Sequence, residues 1–184
     1  LFELKHIDRP LKILDLCTGT GCISLALANK LKDSSVVGVD ISSQAIKLAE
    51  KNKKNLNITN VNFVKSDLFK ELSGQQFDII ISNPPYLSQP EWEKLEEGVR
   101  LWEDKIALAD NDDGLSFYRK IIDVAPKYLA PRPEKFEVRK APRLVFEIGD
   151  RQTDALMEFL TSAGYSKITF WKDSFGKPRV VLAY

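Results

Sequence analysis

The sequence predicts an α/β fold in which strands and helices alternate around one sheet. Short apolar runs typical of buried strands are followed by helical patterns along most of the 184 residues. Two loops agree with this fold: a glycine-containing loop joins the first strand to the first helix, and a proline-rich tetrapeptide directly follows the fourth strand. Because 43% of the residues are hydrophobic and 29% are charged, we expect one globular domain over residues 1–184.

The first half of the chain predicts four strands and two helices. The strands are short apolar runs at residues 11–16, 36–39, 61–65 and 77–82. The helices that connect them carry apolar residues at helical spacing, at residues 22–28 and 43–55.

The second half predicts two further helices, at residues 114–129 and 153–163, and a strand between them at 144–148. Alternating apolar residues at 167–172 and 179–184 predict a final antiparallel pair of strands. Residues 87–113 are too long for a simple connection, so we expect them to fold over the ligand site. The tryptophans of this segment are either lid residues or a small satellite core.

The loop after the first strand is suited to a nucleotide. Gly19 and Gly21 permit positive φ angles and a close backbone approach, and the following helix offers free N–H groups at its N-terminus. Asp40 ends the second strand, at the spacing where an acid binds ribose hydroxyls. Asp67 follows the third strand, where it can accept the amine of an adenine.

The choice between two adenosine ligands depends on two residues. Dinucleotide-binding folds require a third Gly or Ala where this chain has Ser24. Asp15 places a carboxylate beside the glycines, which would repel a pyrophosphate but can hold an ammonium group. S-adenosylmethionine therefore fits better than NAD. We expect it to be bound by Asp15, Thr18, Gly19, Gly21, Asp40, Ile41, Asp67, Leu68 and Asn83.

The tetrapeptide Asn83-Pro84-Pro85-Tyr86 predicts a site for a planar NH2 group. The Asn83 amide oxygen and the Pro84 carbonyl can each accept one N–H of that group, and Tyr86 can stack over it. Two consecutive prolines stiffen the loop and remove backbone donors. We expect Asn83, Pro84 and Tyr86 to be catalytic, and Pro85 to line the substrate site with them.

The chain resembles the HemK-like protein glutamine N5-methyltransferases, which belong to the Rossmann-like methyltransferases. The segments that carry the resemblance are residues 15–23, 83–86, 99–103, 113–115 with Tyr118, and 146–149 with Gln152. Two departures are Asp104, where the family commonly has Pro, and the charged, Pro-rich residues 131–143, which replace a tight turn. We interpret the latter as a surface insertion.

The resemblance implies the fold of a class I S-adenosylmethionine-dependent methyltransferase, with a seven-stranded, mostly parallel sheet that ends in an antiparallel hairpin. It also implies transfer of a methyl group to the glutamine of the Gly-Gly-Gln motif in a class 1 translation release factor. Glu103 would contribute to substrate binding. The N-terminal helical domain of the family is not recognisable in this sequence.

Two other functions remain open from the residues. An adenine N6-methyltransferase acting on RNA or DNA uses the same tetrapeptide, because an adenine presents the same two N–H donors. The formal net charge of +1 gives no broad field for binding nucleic acid, so we expect such contacts only through the release factor or ribosome. The other alternative is a nonenzymatic adaptor that binds S-adenosylmethionine.

The sequence predicts no metal site and no membrane-spanning segment. Its cysteines, Cys17 and Cys22, flank the glycine loop, and His6 is the one histidine, so no zinc-binding spacing is present. We expect both cysteines to be small buried residues beside the ligand. The insertion and the polar, Lys- and Asn-rich composition favour a mitochondrial location, with the cytoplasm as the alternative.

Overall fold

The computed structural model describes residues 9–102, 104–110, 112–131 and 141–184. The expectations that concern His6, Glu103 and most of the insertion lie outside the described residues.

A single seven-stranded sheet organises the chain, in the order β3-β2-β1-β4-β5-β7-β6. Strands β1 to β5 are parallel, and β7 runs antiparallel to both β5 and β6. The predicted mostly parallel sheet with a terminal antiparallel hairpin is thus confirmed. The strands are β1 Lys12–Leu16, β2 Ser35–Asp40, β3 Val61–Lys65, β4 Ile79–Ser82, β5 Leu144–Glu147, β6 Ile168–Lys172 and β7 Pro178–Ala183.

Seven helices are found in the described part of the chain: α1 Cys22–Lys30, α2 Ser43–Asn55, α3 Gln89–Glu93, α4 Glu97–Trp102, α5 Lys105–Leu108, α6 Ser116–Tyr128 and α7 Thr153–Ser162. The predicted helix at 114–129 begins later, because Gly114 has a φ of 82° that a helix does not allow. Phe77 lies outside β4 and pairs instead with Leu129, at the end of α6.

The two faces of the sheet bury separate hydrophobic clusters. In β1, Leu14 and Leu16 belong to one cluster and Ile13 to the other, as the alternation of side chains along a strand requires. Helices α6 and α7 cover the first cluster, and α1 packs on the second. Because both faces are covered near β1, the carboxyl ends of the central strands are fixed relative to one another.

The strand order reverses direction between β1 and β4. Chain connections lead from β1 outward to β2 and β3 on one side, and through β4 to β5 on the other. Open parallel sheets bind ligands at such a switch point, beyond the carboxyl ends of the strands. The glycine loop after β1 and the tetrapeptide after β4 therefore face one another across this position.

Among the described residues, no helix is both long and apolar enough to cross a membrane.

Close packing around Gly38 predicts a stability effect. A Cβ atom at Gly38, in β2, would lie 2.6 Å from Ser24 Oγ and 2.7 Å from the Phe63 ring. We expect Gly38→Ala to lower the free energy of unfolding by about 1–3 kcal/mol, because the neighbours would have to move. Urea denaturation measures the effect. The matched control is Gly98→Ala in α4, where a Cβ meets nothing within 4 Å. Helix propensity should make it neutral or stabilising by up to about 1 kcal/mol, and equal losses in both variants would contradict the packing argument.

Candidate active site

A cleft of about 600 Å³ lies at the carboxyl ends of β1, β2, β3 and β4. This volume is in the range of small-molecule binding sites. The glycine loop, the ends of β2 and β3, and the tetrapeptide line it, together with residues from the segment after β4. The sequence-predicted residues that line it are Thr18, Gly19, Asp40, Ile41, Asp67, Leu68, Asn83 and Pro85.

Asp15 organises the glycine loop from beneath. Its side chain is completely buried, and its Oδ2 accepts hydrogen bonds from Thr18 Oγ1 at 2.6 Å and from Ser24 Oγ at 2.7 Å. The Ser24 backbone N–H also donates to Oδ2, at 3.1 Å. Oδ1 has no hydrogen-bond partner among the described residues. Burial raises the pKa of Asp15 to about 6, although the hydrogen bonds from Thr18 and Ser24 act in the opposite direction.

The two loop glycines have different roles. Gly19 has a φ of 55° and faces open space at its Cβ position, so its backbone is accessible to a ligand in the cleft. Gly21 does not line the cleft. Its Cβ position lies 2.7 Å from Phe63 Cζ, so Gly21 permits close packing of the loop on β3. It also precedes α1, with a φ of 83°.

Asp40 holds the loop after β1 and the start of α2 in one arrangement. Its Oδ2 accepts the Gly19 N–H at 2.9 Å, and its Oδ1 accepts the Ser42 N–H at 2.8 Å. Each carboxylate oxygen has two lone pairs, so one acceptor position remains on each oxygen for a hydroxyl group. Asp40 lines the cleft and can therefore bind a ribose without losing its structural contacts.

Exposed apolar side chains form part of the cleft wall. Ile41, Leu48 and Ile106 are large hydrophobic residues that are exposed and line the cleft. Such a surface suits a flat purine ring, whose burial would remove apolar area from water. Asp67 and Leu68 lie on the same rim. The Asp67 carboxylate is half-exposed and pairs with Lys70 at 2.6 Å.

These groups fit S-adenosylmethionine on three grounds. Asp40 retains acceptor capacity for ribose hydroxyls, and the apolar wall can cover an adenine. Asp15 lies beneath the loop and does not line the cleft, but its buried Oδ1 has no partner in the described part of the chain, so a cationic group bound over the loop would stabilise its charged form.

The tetrapeptide after β4 presents unused acceptors. Within the described ranges, neither the Asn83 side chain nor the Pro84 carbonyl takes part in a hydrogen bond. Asn83 is half-buried and lines the cleft, whereas Pro84 is buried and does not. Tyr86 is also outside the cleft lining: its ring packs beside Gly149, where a Cβ atom would lie 2.8 Å from Tyr86 Cδ2.

Gln152 fixes this tetrapeptide to two other loops. Its Nε2 donates to the Tyr86 carbonyl at 3.0 Å and to the Gly114 carbonyl at 2.9 Å. Its Oε1 accepts the Gly149 N–H at 2.8 Å. Sequence reasoning placed Gln152 only within a family-like segment and missed this role. Its partners lie 3, 38 and 66 residues away along the chain, so no local pattern reveals them.

The segment after the tetrapeptide folds back over the site, as the sequence predicted. The Tyr86 and Leu87 N–H groups both donate to the Leu108 carbonyl, at 3.1 and 2.9 Å. Asp104, Ile106 and Ala107 then line the cleft, which sequence reasoning did not foresee. Of the two tryptophans, Trp92 is half-buried and Trp102 is exposed, so Trp102 is not a core residue.

The cysteines differ from expectation. Cys17 is partly buried, but Cys22 is exposed, so the prediction that both are buried was wrong for Cys22. Both line the cleft because they flank the glycine loop. Burial and the nearby Asp40 raise the pKa of Cys17 to about 12, which keeps its thiol protonated at neutral pH. The described residues contain no cluster of three or more side chains suited to a metal ion.

A comparison with protein families decides the assignment of the chain. The family model described as "Methyltransferase small domain" matches residues 2–99, which is more than half of the chain. The chain belongs to this family.

Curated proteins that are similar to this chain include bacterial glutamine methyltransferases. A protein named release factor glutamine methyltransferase from Fusobacterium nucleatum is 40% identical, over 98% of this chain and 48% of that protein. One of the same name from Clostridium acetobutylicum is 36% identical, over 100% of this chain and 62% of that protein. A ribosomal protein uL3 glutamine methyltransferase from Francisella tularensis is 36% identical, over 91% and 50%. The chain spans about half to three-fifths of the length of these relatives.

Solved structures share the fold of this methyltransferase domain. A methyltransferase from Pyrococcus furiosus has a TM-score of 0.67 at 20% identity, covering 99% of this chain and 79% of that one. A precorrin-6y C5,15-methyltransferase from Geobacter metallireducens has a TM-score of 0.67 at 14% identity, covering 100% and 84%. The predicted class I methyltransferase fold is thereby confirmed.

The buried Gln152 amide predicts a pH-dependent variant. In Gln152→Glu the carboxylate would face the carbonyls of Tyr86 and Gly114 in place of two N–H donors. We expect a loss of about 2–4 kcal/mol in the free energy of unfolding at pH 8, and a smaller loss at pH 5, where protonation restores one donor. Chemical denaturation of variant and wild type at both pH values measures this. Gln76→Glu, at an exposed position, is the matched control. A Gln152→Glu loss that does not depend on pH would contradict the proposed hydrogen bonding.

The raised pKa of Asp15 predicts how stability changes with pH. The folded state holds the Asp15 proton more tightly than the unfolded state, whose pKa is near 3.8. The resulting stabilisation is complete below that pH and is lost as the pH rises towards about 6. Asp15→Asn lacks this dependence. We therefore expect its stability relative to wild type to increase by about 2–3 kcal/mol between pH 4 and pH 7, in denaturant titrations. A constant difference between the two proteins would show that folding does not raise the pKa of Asp15.

Proposed function

We propose that the chain transfers a methyl group from S-adenosylmethionine to the side-chain amide nitrogen (N5) of a glutamine. The substrate is the Gly-Gly-Gln motif of a class 1 peptide chain release factor. The observation that carries the proposal is that Asn83, with an unused side-chain amide, lines the same cleft as Gly19 and Asp40. Support for the substrate comes from relatives named release factor glutamine methyltransferase.

The methyl donor is held by the glycine loop and the ends of β2 and β3. Asp40 would accept hydrogen bonds from the ribose hydroxyls, and Ile41 and Leu68, which line the same cleft, would contact the adenine. Asp67 accepts the adenine amine from its position on the rim, and Asp15 and Thr18 support the loop around the cationic end. When bound, S-adenosylmethionine supplies an electrophilic methyl group.

The tetrapeptide orients the substrate amide. The Asn83 side-chain oxygen accepts one N–H of the glutamine NH2 group, and the Pro84 carbonyl accepts the other. Two acceptors on one NH2 group increase the electron density on a nitrogen whose lone pair is otherwise delocalised into its carbonyl. They also hold it in line, so positioning supplies much of the rate enhancement. Pro85 lines the cleft beside Asn83, Tyr86 supports the loop by packing beside Gly149, and Glu103 contributes to substrate binding.

The pKa values of the neighbouring groups agree with a reaction that needs no strong base. Burial raises the pKa of Tyr86, as does the nearby Glu147, so its hydroxyl stays protonated at neutral pH. Burial also raises the pKa of the Cys17 thiol, which disfavours a thiolate nucleophile at neutral pH. No covalent enzyme intermediate is required, since the nitrogen proton can leave to solvent after transfer.

Two alternatives have less support. An adenine presents the same NH2 donors as an amide, so the tetrapeptide alone does not exclude an adenine N6-methyltransferase. The sequence relatives described above, at 36–40% identity, are named as glutamine methyltransferases, which favours the amide. A nonenzymatic adaptor would have no need for unused acceptors on both Asn83 and Pro84. The mitochondrial location remains a prediction, because it relied on the insertion, most of which lies outside the described residues, and on composition.

Mass spectrometry tests the proposal. The full chain is incubated with S-adenosylmethionine and a class 1 release factor, and with a release factor whose Gly-Gly-Gln glutamine is replaced. We expect one methyl group on the glutamine peptide and none on the substituted protein. Methyl transfer to ribosomal protein uL3 alone would support methylation of a glutamine amide but would replace the release factor as the substrate. Transfer to RNA adenine, or no transfer despite binding of the donor, would overturn the proposal.

Substitution of the tetrapeptide separates chemistry from donor binding. We expect Asn83→Ala to lower kcat by about 10²-fold or more, with little change in the Kd of S-adenosylmethionine, because Asn83 orients the acceptor. Single-turnover kinetics and calorimetry measure the two quantities. Asp40→Ala is the reciprocal control and should weaken donor binding directly. Equal losses of turnover and donor affinity in Asn83→Ala would argue against its role in substrate positioning.

A further inference from the structure

Helix α4 carries an apolar surface that the proposed reaction does not use. Val99, Leu101 and Trp102 are 36%, 71% and 87% exposed. Val99 and Trp102 are three residues apart and so lie on the same side of this six-residue helix, and Leu101 is next to Trp102. We call these three residues the α4 patch.

The end of α4 lies close to the cleft. Trp102 is two residues before Asp104, so their Cα atoms are within about 7 Å of one another, and Asp104 lines the cleft that Asn83 also lines. A macromolecule that presents a side chain to Asn83 must therefore pass close to this end of α4.

The segment that contains α4 is anchored before and after that helix. Ser88 and Glu91 form a capping box at the start of α3, in which the Ser88 N–H donates to Glu91 Oε2 at 2.9 Å. At the other end, the Leu108 carbonyl accepts two backbone hydrogen bonds from the chain after β4. A fixed surface loses less conformational entropy on binding than a mobile one, which favours docking.

The charge around the α4 patch indicates the kind of partner. Residues 91–104 contain six acidic and two basic residues, in a chain whose formal net charge is +1. Such a surface attracts a basic polypeptide and repels the phosphates of a nucleic acid. Exposed Trp and Leu side chains require an apolar counterpart, and Trp is enriched among residues that dominate binding energy.

We propose that the α4 patch is the docking surface for the protein substrate and binds a basic segment with apolar side chains outside the methylated loop. This inference rests on the proposed function, because it assigns the partner to the same site. The two sites have different roles. Asn83 binds the NH2 group, and the α4 patch supplies affinity for the rest of the substrate.

Steady-state kinetics with two substrates tests the docking surface. One substrate is the whole release factor, and the other is a short peptide containing its Gly-Gly-Gln sequence. For Trp102→Ala and Leu101→Ala we expect KM for the whole protein to rise by about tenfold or more, with kcat at saturation preserved. KM for the peptide and the Kd of S-adenosylmethionine should not change. The matched control is Leu56→Ala, because Leu56 is 59% exposed and follows α2, away from the cleft.

Charge reversal gives a second, independent measurement. The double variant Glu96→Lys, Glu97→Lys should slow association with the release factor. The association rate of wild type should fall as the salt concentration rises, and that of the double variant should not. Unchanged KM in both patch variants, or an effect equal to that of Leu56→Ala, would overturn the docking surface while the methyl transfer stands. Tighter binding of the charge-reversed variant to ribosomal RNA, with no loss for the release factor, would also overturn it. If wild type methylates neither protein nor peptide, the proposed function itself fails.

Discussion

The arrangement of the site depends on one buried side-chain amide. Gln152 uses both of its N–H groups and its carbonyl oxygen on three separate loops, which follow β4, precede α6 and follow β5. If one loop moved away, its hydrogen-bonding group and that of Gln152 would be left unpaired in a buried position, at a cost in free energy. The three loops therefore have little freedom to move independently. Gly114 and Gly149 also restrict this arrangement, because the chain around Tyr86 packs closely against both. A Cβ at either position would approach within 2.8 Å of Tyr86.

The other half of the cleft is organised by a carboxylate that is less well satisfied. Asp15 binds the loop through one oxygen, and burial raises its pKa because its other oxygen finds no compensating partner among the described residues. The two halves therefore differ physically. On the tetrapeptide side, Gln152 bonds the Tyr86 carbonyl and leaves the Asn83 side chain without a partner among the described residues, whereas the unused acceptor on the glycine-loop side belongs to a buried carboxylate that a cationic ligand can stabilise. A ligand that brings positive charge near this loop lowers the cost of ionising Asp15, so binding and folding are linked there.

Local signals in the sequence were sufficient for the fold and for much of the cleft. The strands are short apolar runs with charged or glycine-rich ends, and the side chains that follow them, such as Asp40 and Asn83, must meet at one edge of a parallel sheet. Gly21 shows where such reasoning fails. It has the position of a ligand-binding glycine, but Phe63 on β3 occupies the space beside it. That contact joins residues 42 positions apart, and no local pattern encodes it.

Tyr86 and the lid illustrate the same limit. Tyr86 follows the two prolines and was expected to face the ligand, yet its surroundings are set by Gly149 and by the loop that Gln152 holds. The predicted fold-back of residues 87–113 was confirmed, since chain length alone demands it. Which of its residues enter the cleft depends on the pairing of Leu87 with Ala109, a register that is set by tertiary contacts.

The chemistry of the tetrapeptide explains why specificity has to lie outside it. An amide and an adenine offer the same planar NH2 group, so acceptors on Asn83 and Pro84 bind both and reject neither. Discrimination between the two substrates then needs an element that distinguishes a polypeptide from a nucleic acid. The acidic, apolar surface of α4 has this property, because it repels phosphates at long range and buries apolar side chains at short range. Under the proposed function, a protein whose net charge is close to neutral would reject nucleic acid through a few carboxylates placed near its cleft.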